Sequence, residues 1–409
     1  MNFIDLFAGA GGLSEGFVRQ GFNPIAHIEM NKYAATTLKT RAAFHYLKNE
    51  GQLSIYHRYL RKEINREDLY KSVPSEILSN IINKEISDES IEEIFQIIDD
   101  NLSNRENTNV DVLVGGPPCQ AYSLVGRARD PYNKEHDPRN YLYKQYVKFL
   151  DKYKPKLFVF ENVPGILTAG KGKLFDDVQR IMDESGYEIK PKLLDASHFG
   201  VLQKRRRVIL IGWKKGTNFH YPDFDKAQHD FTVSELLNDL PSLIPGETKD
   251  FEYCNKPNLF LKSFVIRDEK DILVQHISRP QNERDRKIYK LAIELWEKEN
   301  KRLKYTDVPE DLRTHKNLNA FLDRFKVVGG NIGFAHTVVA HIAKDGHYYI
   351  HPDIQQLRSL SVREAARIQS FPDNFFFEGP RTAIFTQIGN AVPPLMAENI
   401  AKDLKAMLK

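Results

Sequence analysis

The hydrophobic residues of this chain fall into short blocks that are separated by longer polar or amphipathic stretches. Blocks rich in Val, Ile, Leu and Phe predict strands at residues 3–7, 24–28, 110–114, 157–160 and 208–211. Leu13, Phe17 and Val18 begin a helical spacing directly after the first block. Uniformly apolar strands that alternate with stretches long enough for helices indicate a parallel sheet covered on both faces. We therefore predict an α/β fold with a doubly wound, mostly parallel sheet.

The pattern changes after Trp213, where short apolar pieces alternate with Pro, Asn, Asp and Lys. Helical spacing returns at residues 358–370 and 393–409, and residues 387–394 read as a tight polar turn before the second of these helices. The predicted division is a main domain at 1–213, completed by 374–409, and a smaller irregular domain at 214–373.

The charge of the chain is unevenly distributed. The net charge is +4, but residues 63–111 hold 13 acidic and 4 basic residues, a net of −9. We predict an acidic helical insertion at about 63–109. A capping box at Ser90 begins one of its helices, and Ile81 and Ile82 belong to the helix before it. Because such an insertion would repel a polyanion, we place it at the sheet edge away from one.

Basic residues are frequent in two parts of the irregular domain, 279–290 and 301–326. Aromatic residues lie among them, namely Tyr289, Trp296, Tyr305 and Phe325. This composition suits a nucleic-acid-binding face. Taken alone, it is more typical of a solvated helix surface.

Cysteine content and hydropathy indicate the compartment. Cys119 and Cys254 are too few for a disulfide framework, and the composition suits a reducing cytoplasm. No run approaches the roughly 20 apolar residues that cross a bilayer. The opening MNFIDLF lacks the basic start and long apolar core of a secretion signal. We expect a cytoplasmic protein that is neither exported nor membrane-embedded.

A glycine-rich turn follows the first predicted strand. The sequence FAGAGG supplies Phe7, Gly9, Gly11 and Gly12, and Glu29 ends the next strand. Such a turn lets a ligand approach the backbone, and an acid at the end of the next strand can bind ribose hydroxyls. Phe7 offers a flat surface for a purine. The spacing differs from the G-x-G-x-x-G of dinucleotide enzymes, so the pattern favours another adenosine-containing cofactor.

The sequence GGPPCQ follows the strand predicted at 110–114. Ligands of open parallel sheets bind beyond the carboxyl ends of strands, so Cys119 would reach the site of the cofactor. An isolated cysteine is more often a small buried hydrophobic residue. Glu161, at the end of the following strand, could face the thiol as an acid–base partner, although a lone Glu there is more often solvated or a helix cap.

Three polar residues, Gln203, Arg205 and Arg207, precede the strand predicted at 208–211. Because side chains alternate along a strand, the two arginines would share one face. They could hold a phosphate or a ring oxygen there. Protective charges on an edge strand are an equal alternative for this motif alone.

Taken in order, these motifs resemble the cytosine carbon-5 DNA methyltransferase family of the bacterial restriction–modification type. The matching sequences are FAGAGG, Glu29, PPCQ, ENV, QKRRR, REAARIQSFP and QIGNAVPP. The resemblance covers nearly the whole chain, excepting the acidic insertion and the region between QKRRR and REAAR. Its most specific part is PCQ followed by ENV, with 42 residues from Cys119 to Glu161.

The resemblance implies the fold of S-adenosylmethionine-dependent methyltransferases, with that cofactor as methyl donor and no metal. The residues that it places at the cofactor are Phe7, Gly9, Gly11, Gly12, Glu29, Met30, Leu142 and Asn390. Met30 stands where relatives often have an aromatic residue. The family's short Asp motif, which binds the adenine amino group, is not evident after Glu29, and Glu63-Ile64 is its candidate remnant.

The resemblance also implies a mechanism. Cys119 would add to carbon 6 of cytosine, and Glu161 would bond the ring nitrogen and the exocyclic amine. Arg205 would hold the ring carbonyl and restrain Glu161. Supporting roles are implied for Pro118, Gln120, Asn162, Gln203 and Arg207. Of these, Asn162 and Gln203 would fix neighbouring backbone.

The implied partner is double-stranded DNA. The target base must rotate out of the duplex to be reached, and Ser123 and Arg127 are candidate phosphate contacts in a basic segment that could close over it. The irregular domain, as a target-recognition domain, would read bases in the major groove. By analogy we expect a restriction–modification role, because the chain opens on its first strand and leaves no room for the regulatory domains of eukaryotic maintenance enzymes. The expected functional partner is a cognate restriction endonuclease, and we expect a monomer.

Two other functions remain open at this point. One branch of the family methylates transfer RNA, but its Cys-Phe-Thr signature is absent from this sequence. A catalytically inactive DNA-binding homologue is the second alternative. The presence of Cys119, Glu161 and Arg205 argues against it.

Overall fold

The computed structural model describes residues 1–118, 142–227 and 229–409. The strands in this part of the chain are β1 (Asn2–Leu6), β2 (Asn23–Ile28), β3 (Ile81–Ile82), β4 (Val112–Gly115), β5 (Leu157–Asn162), β6 (Tyr187–Asp195) and β7 (Arg206–Lys214). They form one sheet in the order β3-β2-β1-β4-β5-β7-β6. β7 runs antiparallel to both of its neighbours, and the other neighbouring pairs are parallel. The predicted α/β fold with a mostly parallel sheet is confirmed.

The sequence pattern predicts every strand of this sheet except β3 and β6. β3 has only two residues, too few to give a periodic signal. β6 is an edge strand in which Lys190, Pro191 and Lys192 interrupt the apolar positions. Charged residues and proline are typical of a sheet edge, where they prevent further pairing.

Helices cover the sheet. In the described residues they are α1 (Gly12–Arg19), α2 (Lys32–Asn49), α3 (Leu53–Leu60), α4 (Arg66–Lys71), α5 (Ser75–Ser79), α6 (Ile91–Ser103), α7 (Leu142–Tyr153), α8 (Lys173–Glu184), α9 (Leu259–Ser263), α10 (Glu283–Glu299), α11 (Val362–Ile368), α12 (Arg381–Asn390) and α13 (Pro394–Leu408). Short 3-10 segments lie at Pro164–Gly172, Ala196–Phe199, Val233–Leu236, Tyr305–Asp307, Glu310–Leu312, Asn319–Phe321 and Ala340–Ala343. Within the described ranges, every helix is too short or too polar to cross a membrane.

Alternate strand residues face two hydrophobic cores. Phe3 and Val112 pack on one side of the sheet, in the core that includes apolar residues of α1 and α13. Ile4 and Leu113 pack on the other side, with residues of α6, α7 and α8. Burial on both faces explains why the strands are uniformly apolar. It also leaves the carboxyl edge of the parallel strands as the place where polar groups can converge.

Of the two helices that we predicted in the acidic segment, one is present and the other is not. α6 buries Ile91, Ile94 and Ile98 as expected. The predicted helix through Ile81 and Ile82 is wrong, because these residues form β3 and pair with His27 and Ile28 of β2. The capping box is also absent, since the Ser90 hydroxyl donates instead to the carbonyl of Glu85. Acidic side chains of this segment form ion pairs with lysines of α7, Lys148 with Asp88 and Lys152 with Asp99.

The aromatic residues of the irregular region, residues 214–373, belong to a small core of their own. Tyr289, Tyr305 and Phe325 are buried there together with Ile288 and Ile293. These three rings are therefore unavailable to stack on bases, which removes the aromatic part of the composition that suited a nucleic-acid-binding face. The basic residues Arg284, Arg286, Lys287 and Lys290 of α10 are exposed.

The two predicted C-terminal helices are present, but the turn before the last one is not where we placed it. α11 begins with a capping box between Ser361 and Glu364. Residues 387–390, predicted as part of a polar turn, are the last turn of α12. Pro380 precedes this helix and Pro393 follows it, so prolines mark both of its ends. The turn is confined to the residues between α12 and α13.

Buried ion pairs join α11 to other parts of the predicted irregular domain, 214–373. Arg367 donates to Asp373 at 2.9 Å and also bonds Asp239, which lies some 130 residues earlier. Arg358 forms an ion pair with Glu364 at 2.7 Å. Removing one member of such a pair leaves an uncompensated buried charge, so the pairs hold α11 against earlier residues of the same predicted domain. The division of the chain at 213 and 373 stays a prediction, because the core on the α1 side of the sheet continues into residues 233–266.

Acid should destabilise the fold through two histidines. Burial lowers the pKa of His351 and of His336 to about 4, whereas an unfolded histidine titrates near 6.5. The unfolded chain therefore binds more protons as the pH falls from about 6.5 to about 4, and stability is lost across that window. Asp271, whose pKa burial raises to about 6, acts in the opposite direction.

We expect the free energy of unfolding to fall by about 2–4 kcal/mol between pH 7 and pH 4.5. Urea titrations at both pH values measure this change. His351→Gln, which cannot titrate in this range, should reduce the difference between the two pH values. An unchanged difference in that variant would show that His351 does not contribute.

Candidate active site

The turn between β1 and α1 leaves space beside its backbone. Phe7, Gly9 and Gly11 have φ values of 56°, 55° and 84°, a conformation that favours glycine at the latter two positions. A Cβ at Gly12 would lie 2.2 Å from the carbonyl oxygen of Val392, so this glycine permits close packing before α13. A Cβ at Gly9 would have no atom within 4 Å. The turn is therefore packed against Val392 at Gly12. It is open at Gly9, where a ligand can approach.

Glu29 closes one side of this turn. Its carboxylate accepts hydrogen bonds from the backbone N–H of Gly9 at 2.8 Å and of Asn31 at 2.7 Å. The side chain is 9% exposed, and burial raises its pKa while the two N–H groups oppose that shift. Each oxygen keeps lone pairs that can accept from the hydroxyls of a ribose. Met30, 62% exposed, places an apolar side chain next to it.

The residues of the turn thus fit the nucleoside part of S-adenosylmethionine. The fit rests on two observations, the open space at Gly9 and the oriented Glu29 carboxylate. Phe7 at the start of the turn and Met30, next to Glu29 in the sequence, supply apolar side chains. Leu142 is half-buried at the start of α7. Asn390 is exposed at the end of α12, two residues before the Val392 carbonyl that contacts Gly12.

Asn83 is a candidate site residue that the sequence pattern does not indicate. It directly follows β3, and its side-chain N–H group donates to the carbonyls of Glu29 at 2.7 Å and Met30 at 3.1 Å. Its amide oxygen is left as an acceptor at the same edge of the sheet. The candidate remnant Glu63-Ile64 lies instead between α3 and α4, where Glu63 forms an ion pair with Arg58 at 3.7 Å. Asn83 can be located only from its position directly after β3, and the hydrophobic pattern of the sequence does not predict that strand.

Glu161 and Asn162 hold the ends of β4 and β5 together. The Asn162 side chain, buried, donates to the carbonyl of Pro117 at 3.2 Å. A Cβ at Gly116 would lie 2.5 Å from Oε2 of Glu161, so only glycine allows the carboxylate its position. Pro118 is half-buried. The Glu161 carboxylate therefore lies directly beside the segment that leads to Cys119.

Four predicted site residues, Cys119, Gln120, Ser123 and Arg127, lie outside the described residues. In the sequence, Cys119 follows Gly116 by three residues.

Arg207, and not Arg205, makes the contact with Glu161 that we expected of Arg205. The Nε of Arg207 lies 2.7 Å from Oε1 of Glu161. Arg205 is fully buried and donates to the carbonyls of Val338 at 2.6 Å and Gly389 at 3.0 Å. Arg205 lies one residue before β7, and distant backbone segments cover it. Arg205 therefore joins the irregular region to α12.

Gln203 adds to the same junction. Its side chain donates to the carbonyl of Ile368 at 3.1 Å and accepts from the backbone N–H of Val338 at 2.6 Å. Gln203 and Arg205 together hold Val338, α11 and α12 against the start of β7. Among the described residues, no group of three or more His, Cys, Asp or Glu could hold a metal ion.

Sequence comparisons place the chain in a known family. The sequence model of a family described as C-5 cytosine-specific DNA methylase matches residues 1–56 and 75–406. The type II methyltransferase M.Bpa9945I of Bacillus paralicheniformis is 44% identical and covers 100% of this chain and 99% of its own length. The type II methyltransferase M1.HphI of Haemophilus parahaemolyticus is 29% identical, with coverage of 100% and 87%.

Solved structures show the same fold. A structure described as a prophage-encoded DNA modification methyltransferase of E. coli has a TM-score of 0.65 at 24% identity, covering 100% of this chain and 99% of that chain. A methyltransferase of Entamoeba histolytica has a TM-score of 0.56 at 17% identity, with the same coverage. The family match omits only residues 57–74 between its two parts, a shorter segment than the insertion that we predicted at about 63–109.

Proposed function

Because the chain belongs to the C-5 cytosine-specific DNA methylase family, we propose that it is the modification enzyme of a type II restriction–modification system. The chain is a DNA cytosine-5 methyltransferase with S-adenosylmethionine as its methyl donor. The finer proposal is that it methylates cytosine within one specific duplex sequence, which a cognate endonuclease would otherwise cut. The observation that carries the chemistry is the Glu161 carboxylate, fixed by Arg207 beside the strand that leads to Cys119.

We assign the nucleophile to Cys119. Carbon 5 of cytosine is too electron-poor to take a methyl group without activation. Addition of the Cys119 thiolate to carbon 6 forms a sulfur–carbon bond and makes carbon 5 nucleophilic. After methylation, loss of the carbon-5 proton to a base releases the thiolate. When bound, S-adenosylmethionine supplies an electrophilic methyl group.

Glu161 would stabilise the ring as this charge develops. A carboxyl group at the end of β5 can bond ring nitrogen 3 and the exocyclic amine of a base placed against Cys119. Arg207 fixes one carboxylate oxygen of Glu161 at 2.7 Å, which leaves Oε2 on the Gly116 side for the base. In this proposal Arg207 orients Glu161, whereas Arg205 maintains the junction between Val338 and Gly389.

The cofactor would be held by the open turn at Gly9, by Glu29 through its ribose, and by Phe7 and Met30 against its purine. Asn83 would take the place of the missing Asp motif. Its N–H group is fixed by the two carbonyls of Glu29 and Met30. The amide oxygen is therefore oriented as an acceptor, which suits the amino group of adenine.

Asn83→Ala should weaken S-adenosylhomocysteine binding by about five- to tenfold, the effect of one lost hydrogen bond. S-inosylhomocysteine carries a carbonyl in place of the amine, so its binding to the variant should be unchanged or tighter. Isothermal titration with both compounds measures this. If the variant weakened both compounds equally, Asn83 would not contact the adenine amino group.

The substrate is DNA, and the target cytosine must leave the stack to reach Cys119. We propose that residues 214–373 read the duplex in the major groove, with the exposed basic side chains of α10 near phosphates. Ser123 and Arg127 remain candidate phosphate contacts. We propose a monomeric enzyme, in keeping with a substrate site built from one chain.

The test incubates the protein with labelled S-adenosylmethionine and either mixed-sequence duplex DNA or transfer RNA. We expect label only on DNA, as 5-methylcytosine at one recurrent sequence. Label on transfer RNA alone would favour the RNA-modifying branch. Binding of duplex DNA without any transfer of label would favour an inactive homologue.

A further inference from the structure

The segment that the family match omits, residues 57–74, contacts the buried carboxylate of Glu378. This inserted segment comprises the end of α3, α4 and the turn between them. Tyr59 donates its hydroxyl to Oε1 of Glu378 at 2.7 Å, and Arg66 donates to Oε2 at 3.3 Å. Glu378 is 5% exposed. A charge so little exposed needs partners, and the inserted segment supplies two of them.

Apolar contacts hold the inserted segment in place. Leu60, Leu69 and Val73 are buried against Phe44 of α2 and Val274 of the irregular region. The ring of Tyr59 also packs on Phe376 at a centroid distance of 5.5 Å. Burial, and after it the Glu378 carboxylate, raises the pKa of Tyr59 well above its usual value, so the phenol stays protonated and can donate.

Glu378 connects the inserted segment to α2. Its carboxylate accepts from the Thr40 hydroxyl at 2.6 Å, and its backbone N–H donates to the Thr37 hydroxyl at 2.8 Å. Gly379 follows with φ 108°, and a Cβ there would lie 2.7 Å from the ring of Tyr33, near the start of α2. The residue before that helix is Asn31, whose N–H bonds Glu29. α2 therefore links Glu378 to the ribose-binding carboxylate.

Glu378 also connects the inserted segment to α12. Its backbone carbonyl accepts from the side chain of Gln387 at 2.9 Å. The Gln387 amide oxygen in turn accepts from the Thr37 hydroxyl at 2.7 Å, which closes a ring of hydrogen bonds between α2 and α12. α12 ends at Asn390, two residues before Val392, whose carbonyl oxygen lies against Gly12 of the glycine turn.

We propose that Tyr59 and Arg66 are positioning residues for the cofactor site. By fixing Glu378 they hold α2 and α12, and thereby Glu29 and Asn390, at the spacing that S-adenosylmethionine requires. The inference rests on the proposed cofactor site and adds to it a role for the segment that the family match omits. The inserted segment touches no part of the Cys119–Glu161 region in the described residues, so it should act on cofactor affinity and not on the chemical step.

The test compares the double variant Tyr59→Phe/Arg66→Gln with the natural protein. The dissociation constant of S-adenosylhomocysteine should rise about tenfold, equivalent to about 1.4 kcal/mol. The KM for S-adenosylmethionine should rise similarly, with kcat and the KM for DNA within about twofold. Tyr59→Phe alone should give a smaller rise in the same direction. Arg58→Gln is the matched control, because Arg58 is exposed in the same segment and pairs only with Glu63 among the described ion pairs.

The outcomes separate the two proposals. Variants that melt at a lower temperature but bind S-adenosylhomocysteine as tightly as the natural protein would overturn the positioning role and leave a structural one. A loss of kcat at saturating cofactor would overturn it too. Natural protein that failed to bind S-adenosylhomocysteine would contradict the proposed cofactor site itself, and the positioning role with it.

Discussion

Cys119→Ser is expected to lower kcat for DNA methylation by about 10⁴-fold or more, which is the scale of losing a covalent nucleophile. A serine hydroxyl is scarcely ionised at neutral pH, so it cannot add to carbon 6 as a thiolate does. Binding of S-adenosylhomocysteine should be unchanged, because the glycine turn and Glu29 are untouched. Single-turnover methyl transfer from labelled S-adenosylmethionine to duplex DNA measures the loss.

The other cysteine provides the matched control for this variant. Cys254 is exposed in the irregular region, and Cys254→Ser should methylate DNA at the natural rate. If Cys119→Ser kept full turnover, the covalent mechanism would be wrong, whatever the outcome with Cys254.

Glu161→Gln is expected to lower kcat by about 10²–10⁴-fold, the range for removal of a general acid or base. The amide keeps the shape of the side chain but cannot share a proton with ring nitrogen 3. It also loses the ion pair with Arg207, which lies 2.7 Å from the carboxylate. Stopped-flow or quench measurement of methyl transfer at saturating DNA and cofactor isolates the chemical step.

Glu188→Gln is a suitable control for this second variant. Glu188 is an exposed glutamate of β6 that accepts a hydrogen bond from the Trp213 indole at 3.2 Å. Trp213 pairs with Leu157, the first residue of β5, so this contact lies at the end of β5 away from Glu161. We expect its kcat to be within about twofold of the natural value, since surface substitutions change little. If Glu161→Gln transferred methyl groups as fast as Glu188→Gln, Glu161 would have no part in the chemical step.

Most of the candidate site residues can be predicted from the sequence because each lies close to a recognisable strand. The glycine turn, Glu29 and Glu161 all lie within a few residues of an apolar strand whose end can be located from the sequence. Parallel strands then bring those ends to one edge of the sheet by geometry alone. The family resemblance adds the order of the motifs, and the fold and activity that it implies are confirmed.

The remaining features depend on contacts between distant parts of the chain. Arg205 and Arg207 cannot be told apart by alternation, because Val338 and Gly389 decide which arginine is buried. Asn83 follows a strand of two residues, which no periodicity can predict. Glu378 carries no motif, and its partners come from three other segments. Such residues become recognisable only when the packed structure places their partners around them.

The central claim is that Cys119 forms a covalent bond with a flipped cytosine. Duplex DNA in which 5-fluorocytosine replaces the target base tests it directly, since fluorine at carbon 5 cannot leave as a proton does and the enzyme should remain attached. With S-adenosylmethionine present, we expect a denaturation-resistant protein–DNA complex whose peptide mass places the link at Cys119. The same DNA methylated elsewhere without any covalent complex, or a link at another residue, would contradict the account.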